Sequence, residues 1–208
     1  KNSIWLKWYV KLFSQYILNQ FKKIIVPSKE IANNLYKLKI SQDYIRICTD
    51  SRFDQVQYRK ENKKNIQLLS HLFSNCDTTL FASIDDKDQK IIFKSLKKMY
   101  PLGTTNLINQ KKCLIFIPHE IDTETINNLM HQLDALSFKY CKYSEYLPQR
   151  NSERVIIIDT IGILADLYQY GNKAYVGGGF SRGVHSVLEP AIYNCAIGHG
   201  PNIEMLDE

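Results

Sequence analysis

Apolar positions recur along this chain at two spacings, one helical and one extended. In residues 4 to 21, Trp5, Trp8, Leu12, Tyr16 and Ile17 fall at helical spacing, with Lys7, Lys11, Ser14 and Gln15 elsewhere around the helix. That pattern predicts an amphipathic helix, which either packs on its own domain or lies at a bilayer interface. The run Ile24-Ile25-Val26 predicts a buried strand, and Ser28 the N-cap of a helix running to about Leu38 with Glu30 in its first turn. Tyr44 to Thr49 predicts a second short strand. The polar stretch Gln57 to Asn65 predicts a linker, followed by a helix around Ile66 to Phe73.

Strand-like and helical runs then alternate: Thr79 to Ser83, Gln89 to Met99, Cys113 to Pro118, Thr123 to Leu136, Phe138 to Tyr143, Val155 to Asp159, Ile163 to Tyr170, Ala174 to Val176 and Ser186 to Tyr193. Such alternation predicts an α/β fold built on a Rossmann-like parallel sheet with helices on both faces. Ligands of these sheets bind beyond the carboxyl ends of the strands. Ser83, Pro118-His119-Glu120, Asp159-Thr160 and a glycine turn fall at those ends.

The glycine turn lies within Ala174-Tyr-Val-Gly-Gly-Gly-Phe-Ser-Arg-Gly-Val-His-Ser-Val-Leu-Glu-Pro190. Strand, turn and helix in that order suit an anion: glycines at 177, 178, 179 and 183 let a ligand approach main-chain N–H groups, and a helix start offers its positive dipole end. Glu189, about one turn after His185, is placed to accept hydrogen bonds from a sugar diol. Phosphate plus diol describes a nucleotide-sugar donor; the alternative is a tight turn followed by a helix with a solvated Glu. The spacing is not a G-x-G-x-x-G fingerprint, which argues against a dehydrogenase.

Composition narrows the classes. At 208 residues and 44% apolar, the chain is long enough for one large domain, or for one domain and a piece of another. Lys1 as the first residue, and a freshly started segment at Glu208, give the expectation of a piece of a longer protein. Five cysteines without a C-x-x-C pair suit buried thiols in a reducing compartment. No signal peptide is visible, and no apolar run approaches the roughly 20 residues of a spanning helix. The charge of +6 is spread over many lysines, and zinc-finger spacing and RNA-recognition aromatic motifs are missing, so nucleic acid is not an expected partner.

Several motifs together resemble one family. They are Arg52-Phe53-Asp54, Pro118-His119-Glu120, Asp159-Thr160-Ile161-Gly162 with Leu167-Tyr168, Tyr175 to Phe180 through Gly183-Val184-His185 to Leu188-Glu189-Pro190, and Gly200-Pro201-Asn202. In order and spacing this set is similar to the 3-deoxy-D-manno-octulosonic acid (Kdo) transferases of the glycosyltransferase B architecture, particularly as they occur in Bacteroidetes-like bacteria. The resemblance implies transfer of Kdo from CMP-Kdo to a lipid A precursor in lipopolysaccharide biosynthesis, at the cytoplasmic face of the bacterial inner membrane. Residues 1–50 would be the end of an amino-terminal acceptor domain and 51–208 a truncated donor-binding domain.

Carried over by position, Gly177, Gly178, Gly179 and the helix start near Ser186 would hold the CMP phosphate and Glu189 the ribose. Pro118 and His119 would form part of the cytidine or phosphate wall. His185 would either bond the donor or satisfy turn carbonyls. CMP is a monophosphate leaving group, so no metal or other cofactor is expected. Asp85, Asp86 and Asp88 are then expected as helix-start carboxylates rather than a metal site. The resemblance places the general base, a Glu in a glycine-rich loop, outside this sequence, so the catalytic residue is unassigned and this chain alone is expected to bind without turnover.

The chain departs from the family pattern at several positions. Ser186 stands for an Asn, Ala82-Ser83-Ile84-Asp85 for Gly-Ser-Thr/Ser-Trp, Ile163 for a Glu, Thr49 for a Gly, and His119 for an Arg found in many relatives. These changes leave two alternatives open: another glycosyltransferase B enzyme with a different nucleotide sugar, or a divergent domain that binds nucleotide or membrane without catalysis.

Overall fold

The computed structural model describes residues 4, 7–48, 50–62, 68–148, 152–204 and 206. Trp5 and Thr49 lie outside these described residues. The chain divides into two compact units, residues 1–61 and 62–208.

In the first unit, α1 (Trp8–Leu18) is the expected amphipathic helix. It leaves Trp8 and Leu12 86% and 80% exposed and buries Ser14, whose hydroxyl bonds the Val10 carbonyl at 2.8 Å. Strands β1 (Ile24–Val26) and β2 (Ile45–Ile47) pair in parallel, with α2 (Lys29–Lys37) connecting them. Ser28 caps α2 by accepting from the Ile31 N–H, and Glu30 and Lys37 complement the dipole at the two ends. The expected linker is partly helical: α3 spans Ser51–Glu61, and residues 63–67 lie outside the description. Asp50 starts α3 by accepting from the Arg52 N–H at 2.9 Å, and Gln57 bonds Glu61 one turn later at 2.8 Å. These local polar bonds hold a helix with no buried face.

The second unit is a six-stranded, wholly parallel sheet in the order β5-β6-β4-β3-β7-β8. The strands are β3 (Asp77–Ile84), β4 (Lys112–Pro118), β5 (Cys141–Lys142), β6 (Val155–Ile157), β7 (Lys173–Val176) and β8 (Ala196–His199). Strand β3 pairs with β4 on one side and β7 on the other, so the chain's direction across the sheet reverses between β3 and β7. Period-two alternation divides the core between the two faces. Phe81, Leu114, Phe116, Val155 and Ile157 pack under α5 (Asp86–Met99), α6 (Thr104–Asn109) and α7 (Thr123–Ala135). Leu80, Ala82, Cys113, Ile115 and Ile156 face the side of α4 (His71–Ser74) and α8 (Leu164–Leu167). The expected α/β sheet covered on both faces is therefore the observed architecture. Among the described residues no helix is long and apolar enough to cross a membrane.

Three boundaries move, each for a local reason. The strand expected over 138–143 contracts to Cys141–Lys142 because Ser137 takes φ +58° and the Phe138 N–H bonds the Leu133 carbonyl, closing α7. The helix expected from Ile66 is described only as α4, from His71. The helix expected from Ser186 starts at Leu188, as α9 (Leu188–Ile192). Pro190 has no N–H to donate, so it fits within the first three helical positions and would break the ladder one residue further in. Ser186 instead accepts from the Leu188 N–H through its hydroxyl at 3.3 Å. A helix of this length contributes little dipole to an anion.

Candidate functional site

The carboxyl ends of β3, β4 and β7 meet at the point where the sheet order reverses. Strand β3 ends in a bulge at Ser83, which takes φ +53°, and Asp85 then caps α5. One Asp85 oxygen accepts from the Lys87 and Asp88 N–H groups at 2.9 and 3.0 Å, while Asp88 accepts from the Asp85 N–H at 3.1 Å, a reciprocal capping box. The expected helix-start role of these carboxylates is what the geometry shows, and both also reach across to the glycine turn.

Asp88 is fully buried. Besides the Asp85 N–H it accepts from the Gly178 N–H at 2.8 Å and from the Tyr175 hydroxyl at 2.7 Å. The other Asp85 oxygen accepts from the Ser181 hydroxyl. Burial would raise the Asp85 pKa, but the bonds from Ser181, Asp88 and Lys87 outweigh it and hold the carboxyl below its usual range. Gly177 permits this approach: a Cβ there would sit 2.2 Å from the Ser83 carbonyl oxygen and 2.8 Å from Asp88.

The turn itself is closed by main-chain bonds. The Gly177 N–H donates to Ala82, those of Ser181 and Gly183 donate to Gly178, and that of His185 donates to Gly177. Gly179 and Gly200 abut with no room for a Cβ on either, and Asn202 exchanges main-chain bonds with Gly179 and Val184. This explains why Gly200-Pro201-Asn202 accompanies the turn. The N–H groups expected to face a phosphate at Gly177 and Gly178 are thus already engaged within the fold.

Strand β4 brings in the third wall. The His119 N–H donates to the Ile84 carbonyl at 3.0 Å, extending the β3–β4 ladder past Pro118. The His119 ring stacks on His185, centroids 4.9 Å apart and 24° between planes. Burial, with the neighbouring His119, lowers the His185 pKa despite Asp88 and Asp85 nearby.

Together these elements form a cleft of about 320 Å³ whose lining includes Asp85, Asp86, Lys87, Gln89, His119, Glu120, Thr125, Gly178, Ser181, Arg182 and His185. Of the expected donor-binding residues the cleft gathers His119, Gly178 and His185. Pro118, Gly177 and Gly179 are buried around it, and Ser186 and Glu189 lie outside its lining. Gln89, Lys87, Thr125 and Arg182 went unmarked in the sequence. The signal available for the first two was their place in the first turn of a helix that starts at a strand's carboxyl end.

No family model matches the chain. It is 28% identical to the 3-deoxy-D-manno-octulosonic acid transferase of Rickettsia felis over 96% of its length and 40% of the relative's. The corresponding Rickettsia prowazekii protein is likewise 28% identical, with the same shares covered. Over nearly its whole length the chain is similar to 3-deoxy-D-manno-octulosonic acid transferases. A bifunctional glycosyltransferase/methyltransferase of Fusobacterium nucleatum is 33% identical over 63% of the chain and 22% of that protein. The chain spans about 40% of the length of the Rickettsia relatives it matches. Among solved structures, the carboxyl-terminal CMP-Kdo binding domain of WaaA from Acinetobacter baumannii superimposes with a TM-score of 0.53 at 20% identity, covering 72% of this chain and 70% of that one. The chain therefore shares the fold of that carboxyl-terminal domain.

Proposed function

We propose that this chain supplies the donor-binding part of an enzyme that transfers Kdo from CMP-Kdo to a lipid A precursor in lipopolysaccharide biosynthesis. The observation that carries the reading is the similarity to Kdo transferases over 96% of the chain. The cleft at the reversal point of the sheet, where α/β folds hold nucleotides, supports it.

In the proposed reaction the bond from the anomeric carbon of Kdo to the phosphate oxygen breaks and CMP leaves. The acceptor hydroxyl forms the new bond to that carbon and gives its proton to a base in the part of the parent protein outside this chain. Lys87, Arg182 and the two histidines are the groups of the cleft that suit the CMP phosphate. CMP leaves as a monophosphate, so the reading asks for no metal or other cofactor. Glu189 retains its ribose role by motif alone. The enzyme would work at the cytoplasmic face of the inner membrane, where its lipid acceptor lies.

The similarity to the Fusobacterium glycosyltransferase/methyltransferase, with Ile84-Asp85 in place of the usual hydroxyl and aromatic ring, favours a second reading: a glycosyltransferase with a different nucleotide sugar. Calorimetric titration with CMP and UDP, alongside Glu189→Ala, separates them. Saturable CMP-selective binding, weakened in the variant, is the expected result. UDP selectivity moves the assignment to the second reading, and binding of neither by folded protein overturns both.

A further inference from the structure

One cleft side chain has no part in the arrangement above. Gln89 sits in the first turns of α5, lines the cleft and is 2% exposed. Its amide oxygen is fixed, accepting from Nε2 of Gln132 on α7 at 2.8 Å. Gln132 is itself steadied by a bond to the Asn128 carbonyl at 3.4 Å. The amide nitrogen of Gln89 is buried and has no acceptor among the described residues. Gln89 lines the cleft, and with Oε1 held by α7 its Nε2 is the amide atom still without a partner. Native proteins leave few buried donors unpaired, and a ligand that completes the bond is a direct reason to keep one.

We propose that Gln89 is a binding residue of this cleft, whose amide N–H donates to an uncharged acceptor on the pyrimidine ring of the bound nucleotide. The proposal rests on the donor-site reading given above. The charge pattern selects the base over the phosphate. Gln89 is neutral, and the cationic side chains of the cleft, Lys87 and Arg182, suit the phosphate better than an amide does. A fixed amide also suits the edge of a flat heterocycle, whose carbonyl oxygen and ring nitrogen present acceptors at set directions. A site with a committed donor rejects ligands that lack the matching acceptor.

Titration of the chain and of Gln89→Glu and Gln89→Met with CMP and with ribose 5-phosphate tests this. Glu keeps the shape and replaces the donor by acceptors; Met keeps the volume without either. CMP affinity is expected to fall about tenfold in both, with ribose 5-phosphate unaffected. CMP affinity within about twofold of wild type in folded variants overturns the proposal. Equal weakening of both ligands also overturns it, by placing Gln89 on the sugar or phosphate. If the Gln89 variants fail to fold, Gln132→Met, which only releases the amide, is expected to weaken CMP about threefold, and no change overturns the proposal. Folded wild-type chain that binds neither ligand refutes the donor-site reading and this inference with it; CMP binding indifferent to Gln89 refutes this inference alone.

Discussion

Replacing Asp88 by Ala would remove the acceptor for three donors at once: the Asp85 N–H, the Gly178 N–H and the Tyr175 hydroxyl, at 3.1, 2.8 and 2.7 Å. A hydrogen bond to a charged group contributes about 1.5–3 kcal/mol, and a buried donor left unpaired costs about 1–3 kcal/mol. The three bonds share one carboxylate, so their losses do not add in full. The expected destabilisation is about 3–5 kcal/mol, a large part of the roughly 5–15 kcal/mol that holds a domain folded. Asp88→Asn keeps one acceptor, and its NH2 can donate to the Tyr175 oxygen, so about 1–3 kcal/mol is expected there. Tyr175→Phe removes a single donor and should cost less than Asp88→Ala. Urea unfolding followed by far-ultraviolet circular dichroism measures all three, with an unchanged m-value as the check that the same surface is exposed. An Asp88→Ala loss below about 1 kcal/mol would show that the turn does not depend on this carboxylate.

Two further outcomes follow from the same region. Gly178 and Gly162 both have φ +88°, but a Cβ at Gly178 would lie 2.3 Å from the Gly183 carbonyl oxygen and one at Gly162 would meet nothing within 4 Å. Gly162→Ala should therefore cost only the strain of about 1 kcal/mol, and Gly178→Ala about 2–4 kcal/mol, read as melting temperatures; equal losses would refute the steric account. His185, whose pKa burial and His119 depress below the ordinary histidine value of about 6.5, binds a proton more readily unfolded than folded. Its contribution to stability is complete above about pH 6.5 and is lost as pH falls through the lower folded value. Melting temperatures between pH 7.5 and 5 should fall less steeply in His185→Gln than in wild type, and parallel slopes would remove His185 from the acid response.

Periodicity carried the sheet and its covering helices because each central strand alternates between two buried faces. The runs around Leu114 and Ile156 could satisfy no other placement. Elements whose boundaries depend on single local bonds were less legible. The cap at Ser28 could be read directly, since its side chain meets the N–H three residues on. The start of α9 depended on Pro190, and the end of α7 on a left-handed Ser137. Helix α6, six residues between Gly103 and Gln110, is too short to show a period, and the edge strand β8 buries none of its four residues, so neither stood out by pattern. In the site, the motif residues at strand ends could be read because topology brings those ends together. The roles of Asp88 and Gln89 could not, because they depend on partners 90 and 43 positions away, Gly178 and Gln132.

The same long-range bonds change how an anion would be held. Read along the sequence, three consecutive glycines before a helix offer a ring of free amides to a phosphate. In the folded chain the amides of Gly177, Gly178, Ser181, Gly183, Val184 and His185 all donate within the protein. The glycines are needed because β7, the turn and Gly200 approach one another more closely than any side chain would permit. A carboxylate, Asp88, occupies the position nearest the Gly178 amide, which sets a negative charge behind the turn instead of a vacant donor. A bound phosphate would then be neutralised by side chains at the rim, Lys87 and Arg182, while the turn holds Ser181 against the start of α5 and His185 against His119. The departures from the family pattern are consistent with that division: Asp85 in place of an aromatic ring gains a bond to Ser181 that locks the turn, and His119 in place of an Arg gains a stacking partner in His185.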